Sequence, residues 1–193
     1  MKPADPNIQP PDHGDAQTVS TDGLAGPVPI LPVNELVAFP KMSVPFLISA
    51  KSTPVIEAAM KSDRIVGLLT TKRPDTESPV PGEFYEVGTL AKILHTKRNE
   101  DDMMVMVVHG TSRFRVATWQ SGGPYLSARV INAPETVEAG LEMDALQQQL
   151  HVLVKEVLAM MPHVPKELIE TVDQIEDPLQ LAYVAAFNIN LTT

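Results

Sequence analysis

The residue types that carry enzyme chemistry occur in this sequence, but none stands in the spacing that a familiar catalytic motif requires. The chain has no GxxxxGK(S/T) phosphate-binding loop, no GxGxxG dinucleotide loop, no HExxH zinc motif and no GxSxG nucleophile elbow. It has no cysteine, which excludes a thiolate nucleophile, a disulfide and a Cys-bound zinc or iron–sulfur site. The histidines are widely scattered, at His13, His95, His109, His151 and His163. We therefore predict that this chain is not an enzyme and has no metal or cofactor of its own.

The candidate binding residues are apolar instead. A proline-stiffened loop runs from Phe39 to Phe46, a methionine-rich stretch follows Met103, and Trp119 and Tyr125 flank a Gly-Gly turn. Methionine adapts to many apolar shapes, and a stiff loop presents side chains at low entropic cost. Each feature also has a structural alternative, since the methionines can fill a core and the two aromatic residues can form a cross-strand pair. The candidates for binding an apolar partner are Phe39, Pro40, Met42, Pro45, Phe46, Met103, Met104, Trp119 and Tyr125.

The net charge of the chain limits the kinds of molecule that it can bind. Among 193 residues there are 15 Lys+Arg and 24 Asp+Glu, a formal net charge of −9. Such a chain offers no basic surface for nucleic-acid backbones or anionic lipid. No apolar run reaches the ~20 residues that a membrane-spanning helix needs, and the N-terminus lacks the apolar region of a signal peptide. We predict a protein of the bacterial cytoplasm that binds neither membranes nor nucleic acids.

Two changes of pattern divide the chain into three predicted parts. Residues 1–27 are rich in proline and aspartate and poor in large apolar side chains, which predicts a flexible tail. Residues 28–133 contain short β-prone runs separated by Pro, Gly and charged residues, typical of an antiparallel sheet or barrel. In residues 134–193 the apolar period changes from two to 3.6, which predicts a helical lobe. The expected fold class is α+β, with a β-rich barrel-like lobe, one inserted helix and a small helical bundle.

The strands expected in the β-rich part are Pro29–Val33, Leu36–Phe39, Val44–Ile48, Ile65–Thr71, Phe84–Leu94, Met103–His109, Phe114–Trp119 and Tyr125–Ile131. The inserted helix is expected to begin at Thr53 as the N-cap, with Pro54 at the first helical position.

Three helices are expected in the last part of the chain. The first has an apolar stripe, Leu146, Leu150, Leu153, Val154, Val157, Leu158 and Met161. The second spans about Lys166 to Ile175, and the third begins at the N-cap Asp177, followed by Pro178. The residues from Asn190 to Thr193 read as a helix end followed by a new N-cap, which favours a truncated chain over a frayed natural C-terminus.

Four stretches resemble, in order, the amino-terminal domain of the Lon protease family, the ATP-dependent proteases of the AAA+ class. They are LPVNELVAFP from Leu31, YEVGTLAKI from Tyr85, VVHGTSRFRV from Val107 and IEDP from Ile175. The resemblance covers the chain from Val28 to its end and implies a PUA-like β lobe followed by a helical lobe. The sequence departs from the family at Asn34, where many members carry Arg, and at the turn from Lys97 to Asp102, which lacks a Pro-Asp-Gly-like sequence.

The resemblance also implies a function. In this family the domain captures unfolded or damaged proteins by exposed apolar segments, supports a hexameric ring and passes substrates to an ATP-driven channel. The ATPase module, which uses ATP and Mg, and the Ser–Lys protease domain lie outside the resembling segment. The chain is thus expected to be the non-catalytic substrate-recognition part of a serine protease, with unfolded proteins and other Lon subunits as partners.

Two alternative functions stay open. One is a stand-alone binding or adaptor protein of the same domain type, which the length of the natural coding frame would distinguish. The other is RNA binding by a PUA-like barrel, which the net charge of −9 disfavours. The only basic residues near a stripe are Lys92, Lys97, Arg98, Arg113 and Arg115.

Overall fold

The computed structural model describes residues 24, 26–34, 37–48, 50–73, 76, 78–98, 104–160, 172 and 174–188. In these residues the elements are β1 Val28–Val33, β2 Ser43–Ile48, α1 Thr53–Met60, β3 Ile65–Thr70, β4 Val87–Arg98, β5 Met104–Gln120, β6 Ser127–Asn132, α2 Leu141–Met160 and α3 Pro178–Asn188. Short 3-10 turns lie at Ala50–Ser52 and Pro81–Glu83. Most of the predicted tail, most of the predicted helix from Lys166 and the turn after Arg98 lie outside the described residues.

The six strands form one mixed sheet that closes into a barrel. Their order is β2-β5-β4-β3-β1-β6, and β5 pairs a second time with β6. The 17 residues of β5 allow both pairings, because its first half lies against β2 and its second half against β6. Only the β1–β3 pair is parallel among these strands. The α+β fold with a barrel-like β lobe and an inserted helix, as expected from the sequence, is confirmed.

The barrel interior holds two groups of buried apolar side chains. The first core lies under β2 and α1, where alternate residues of β2 point inward, and includes Val44, Phe46 and Ile48. The second core surrounds Phe114, which is fully buried. The inward residues of α1 pack on the first core, and this helix lies against β1 and β3.

Helices α2 and α3 share a third apolar cluster. Val154 and Leu158 of α2 pack with Leu181 and Ala185 of α3, together with Ile175 before it. The predicted start of α3 is confirmed, because Leu179 N–H donates to Asp177 Oδ1 at 3.0 Å and Pro178 occupies the first helical position.

The predicted stripe of α2 is buried only in part. Leu146, Leu153 and Val157 are 54%, 49% and 46% exposed, while Met161 lies outside the described residues. Periodicity therefore located the helix correctly but did not show how much of its apolar side is covered.

Three predicted element boundaries are wrong. The described residues of the predicted strand Leu36–Phe39, Val37–Phe39, are not a strand, and the Ala38 carbonyl accepts a hydrogen bond from the Thr89 side chain at 2.6 Å. The runs from Met103 and Phe114 belong to the single strand β5, whose pairing continues through the Gly-Thr-Ser segment between them. Ser52, without a side-chain capping bond, precedes α1 in place of Thr53, because the 3-10 turn leads directly into this helix.

Candidate functional site

The turn Phe39–Met42 of the β-rich lobe packs against α3. The Phe39 ring stacks on Tyr183 of α3, with ring centroids 4.9 Å apart, and Pro40 is buried. Lys41 has a left-handed backbone with φ of 62°, and its Nζ donates to Asp177 Oδ2. Met42 is half-buried against the first core. The predicted loop is thus partly an internal contact between the barrel and α3.

Gly110 of β5 allows this turn to approach the sheet. A Cβ on this residue would lie 2.2 Å from the Phe39 carbonyl oxygen and 2.9 Å from its carbon, distances that backbone atoms cannot accommodate. Two hydrogen bonds hold the approach, from Lys41 N–H to the Gly110 carbonyl at 2.8 Å and from Gly110 N–H to the Met42 carbonyl at 2.9 Å. Gly110, which lies between two runs predicted as separate strands, is therefore a point of close backbone contact within β5.

The main charged group between the Phe39–Met42 turn and α3 is the carboxylate of Asp177. The hydrogen bond from Lys41 lowers the pKa of its carboxyl group below the ordinary value of 3.8, and the Leu179 and Gln180 N–H groups lower it further. Partial burial of the carboxylate acts in the opposite direction. The charged form thus stabilises both the start of α3 and its attachment to the turn.

The two candidate binding residues on β2, Pro45 and Phe46, lie in different surroundings. Phe46 is 8% exposed and belongs to the first core, so its ring is not a surface group. Pro45 is exposed and pairs with Val107 of β5. Its own strand, β2, is an edge strand of the sheet. Proline lacks an N–H, so it suits a position whose backbone nitrogen faces away from the neighbouring strand. At such a position it removes a hydrogen-bond donor from the sheet edge and disfavours edge-to-edge association.

The Met103 candidate lies outside the described residues, and Met104 begins β5 half-buried against the first core.

The remaining candidates, Trp119 and Tyr125, line one groove. The Trp119 ring stacks on Phe84 with centroids 5.4 Å apart, and Tyr125 packs against the first core. The structure brings these two predicted residues together and keeps them apart from the Phe39–Met42 turn.

This groove, the Trp119–Tyr125 groove, has a volume of about 490 Å³ and lies between the β5–β6 turn, β1, the start of α1 and residues 78–81. Sequence reasoning missed several residues of its lining, most of them small or cyclic. They are Ile30, Pro32, Val55, Ser78, Pro79 and Pro81. A local signal existed in the Ser-Pro-Val-Pro run at 78–81, which is a stiff apolar segment.

The described residues contain no group of three His, Asp or Glu side chains that could hold a metal ion. Each helix within these same residues is too short or too polar to span a membrane.

Comparisons with known proteins agree on one family. The family model described as "ATP-dependent protease La (LON) substrate-binding domain" matches residues 27–193. The chain is 32% identical over 165 residues to the Lon protease of Dictyoglomus thermophilum and 33% identical over 166 residues to Lon protease 2 of Myxococcus xanthus. Each alignment covers 85% of this chain but only 21% and 20% of those proteins. The chain thus spans about a fifth of the length of these curated relatives.

Two solved structures share the fold. The N-terminal domain of Mycobacterium avium complex Lon protease matches with a TM-score of 0.73 and 27% identity, covering 86% of this chain and 85% of that one. The Lon N-terminal domain protein from Xanthomonas campestris has a TM-score of 0.51, covers 84% of this chain and 98% of that one, and at 17% identity indicates the fold alone. The resemblance read from the sequence motifs is confirmed, and the chain belongs to the family of ATP-dependent protease La (Lon) substrate-binding domains.

Proposed function

We propose that this chain is a non-catalytic recognition domain that binds unfolded or damaged proteins for a Lon-type ATP-dependent serine protease. The observation that carries the proposal is the match of residues 27–193 to a family described as substrate-binding. The matched Lon proteases are about five times as long as the aligned segment. Proteolysis by a Ser–Lys dyad, and the need for ATP and Mg, are therefore assigned to regions of such a protein outside this segment.

Exposed apolar side chains support binding through apolar surfaces. Leu47 on β2 is 63% exposed and Val80 beside the groove is 59% exposed, and Tyr85 and Ile131 are also accessible. Of the residues predicted from the sequence, we retain Met42, Pro45, Met104, Trp119 and Tyr125 as candidates for substrate contact, together with Met103, which lies outside the described residues. Pro40 and Phe46 are buried and the Phe39 ring stacks on Tyr183, so these three are not retained.

The proposal also includes assembly into a hexamer. Its support is the row of half-exposed residues along α2, Leu146, Leu153 and Val157, which recur at spacings of seven and four and so share one side of the helix. We assign this side to contacts outside the described residues, within a longer protein or between its subunits. The proposal keeps the domain division at residues 28–133 and 134–193 and the cytoplasmic location expected from the sequence.

A binding experiment tests the proposal. A fluorescently labelled protein that has been reduced and alkylated, and so cannot refold, is titrated with the chain and followed by anisotropy. We expect micromolar affinity for this unfolded probe, no binding to the native form of the same protein, and less than a twofold change between 50 and 500 mM NaCl. Equal binding of the native form, or loss of binding in salt, would contradict it.

A competition arm addresses the RNA alternative. A structured RNA at physiological salt is added to the complex of chain and unfolded probe. The proposal expects no displacement, because the chain carries a net charge of −9. Displacement by RNA at micromolar concentration would favour nucleic-acid binding instead.

A further inference from the structure

We propose that the Trp119–Tyr125 groove is the site that receives an aromatic side chain from an extended, unfolded polypeptide segment. This inference rests on the proposed function and names the place and chemistry of substrate contact within it. The groove has a volume of about 490 Å³, within the roughly 300–1,000 Å³ range of pockets that bind small organic groups. That volume accommodates one large side chain together with the adjoining backbone.

The walls of the groove are held in place before any ligand arrives. Phe84, itself only 4% exposed, supports the face of Trp119, and the first core supports Tyr125. Pro79 is buried, and its ring restricts the backbone of the 78–81 segment, which also lines the groove. Binding to a surface of this kind loses little conformational entropy on the protein side, so a single side chain contributes more of its burial energy to affinity.

The lining chemistry favours aromatic over aliphatic side chains. Two aromatic rings and four proline rings face the groove, and aromatic rings gain stacking energy beyond the area that they bury. Proline offers no N–H, so the backbone at these four positions has no donor that would need a polar partner. The prolines of the lining are Pro32, Pro79, Pro81 and Pro124.

The same lining argues against a cation as the ligand. Trp and Tyr together can form a cage for a quaternary ammonium or a methylated lysine. Among the described lining residues, however, there is no carboxylate, and Lys51 contributes a positive charge. No carboxylate among these described residues is placed to attract a cationic group, so a neutral aromatic side chain fits better.

Polar groups at the rim complete the site for a peptide. Ser52, Ser78, Gln120 and Ser121 line the groove beside the apolar walls. Their side chains can donate to and accept from the backbone of an extended segment, whatever its sequence. The arrangement therefore selects one aromatic side chain and leaves the flanking sequence unspecified, as a binder of many unfolded proteins requires.

Trp119 reports occupancy of the groove directly, because it is the only tryptophan in the chain. Capped pentapeptides of the form Gly-Ser-X-Ser-Gly, with X as Phe, Leu, Ala or Lys, are titrated while Trp119 emission is recorded. We expect a blue shift with the Phe peptide and affinity at least tenfold above that of the Ala and Lys peptides, with Leu between them. No change in emission, or equal affinity of all four peptides, would overturn the inference.

Two groove variants test the same site with the unfolded-protein probe. Ser78→Phe places a ring in the groove without removing any packing, and Ser62→Phe is its matched control, an exposed serine after the opposite end of α1. We expect Ser78→Phe to weaken probe binding at least fivefold and Ser62→Phe to change it less than twofold. Trp119→Ala should match Ser78→Phe if its circular dichroism spectrum stays native; because it also removes the contact with Phe84, the decision rests on Ser78→Phe.

The outcomes separate this inference from the proposed function. If the native chain binds the unfolded probe and Ser78→Phe binds it equally well, the groove assignment is wrong while the recognition function stands. If the native chain does not bind the unfolded probe at all, the proposed function fails. In that case a Phe-selective change in Trp119 emission would identify the groove as a site for a different aromatic ligand and overturn the substrate assignment.

Discussion

Asp177 supports α3 through one carboxylate that serves two partners. Oδ1 accepts the N–H of Leu179 at 3.0 Å, and Oδ2 accepts a hydrogen bond from Lys41 in the Phe39–Met42 turn. Asparagine retains an oxygen that can cap the helix but has no charge, whereas alanine removes both functions. The variants Asp177→Asn and Asp177→Ala therefore separate the contribution of charge from that of capping.

The magnitudes follow from exposure and geometry. The side chains of Lys41 and Asp177 are 58% and 33% exposed, so solvent screens the ion pair and we assign it about 0.5 kcal/mol. The carboxylate at the helix N-terminus adds about 0.5 kcal/mol, and loss of the cap to alanine costs about 1 kcal/mol. We expect Asp177→Asn to lower the free energy of unfolding by about 1 kcal/mol and Asp177→Ala by about 2 kcal/mol.

The pH dependence has a defined sign. The pKa of Asp177 is lower in the folded protein than its ordinary value of 3.8, so the unfolded chain binds the proton more readily. The stabilisation is therefore complete above the unfolded pKa and is lost as the pH falls through the folded pKa. The difference in stability between the native chain and Asp177→Asn should stay constant above about pH 5 and shrink below the ordinary range of aspartate.

The assay is urea unfolding followed by far-UV circular dichroism, with linear extrapolation to water. Lys41→Met and its double variant with Asp177→Asn complete a thermodynamic cycle. We expect a coupling of about 0.5 kcal/mol at low salt that disappears in 1 M NaCl. Equal losses for Asp177→Asn and Asp177→Ala, or a coupling that salt does not change, would refute this account of the contact.

Four further changes have defined outcomes. Gly110→Ala should destabilise by about 2–3 kcal/mol, because its Cβ meets the Phe39 carbonyl, and a native melting temperature would contradict this. Phe46→Ala should cost about 3–4 kcal/mol in urea unfolding because the ring is in the first core, whereas Leu47→Ala, its exposed neighbour, should change stability by less than about 0.5 kcal/mol. Tyr183→Phe should leave stability unchanged or raise it by about 1 kcal/mol, since its buried hydroxyl has no partner among the described residues, and a clear loss would reveal one. Pro45→Val should increase self-association in analytical ultracentrifugation by restoring a donor to the sheet edge, and a sedimentation coefficient unchanged with concentration would count against that role.

Local sequence signals were sufficient for the elements that depend on neighbouring residues alone. The Asp177-Pro178 pair placed the start of α3 correctly, because capping and the proline ring act within one helical turn. The β-prone run of β2 and the 3.6-residue period of α2 were read correctly for the same reason. Ordered motifs were enough to identify the family, since they preserve both residue type and order along the chain.

Burial and the binding groove required the tertiary structure. Phe39 and Phe46 look alike in the sequence as apolar residues of one loop, yet one stacks on α3 and the other fills the barrel. The Trp119–Tyr125 groove combines residues from four segments that are separate along the chain and meet only in the folded barrel. Periodicity and capping are set by contacts a few residues apart and so can be read from the sequence. Which apolar side chain is covered, and which remains available to a partner, depends on contacts between distant segments, and only the folded chain decides it.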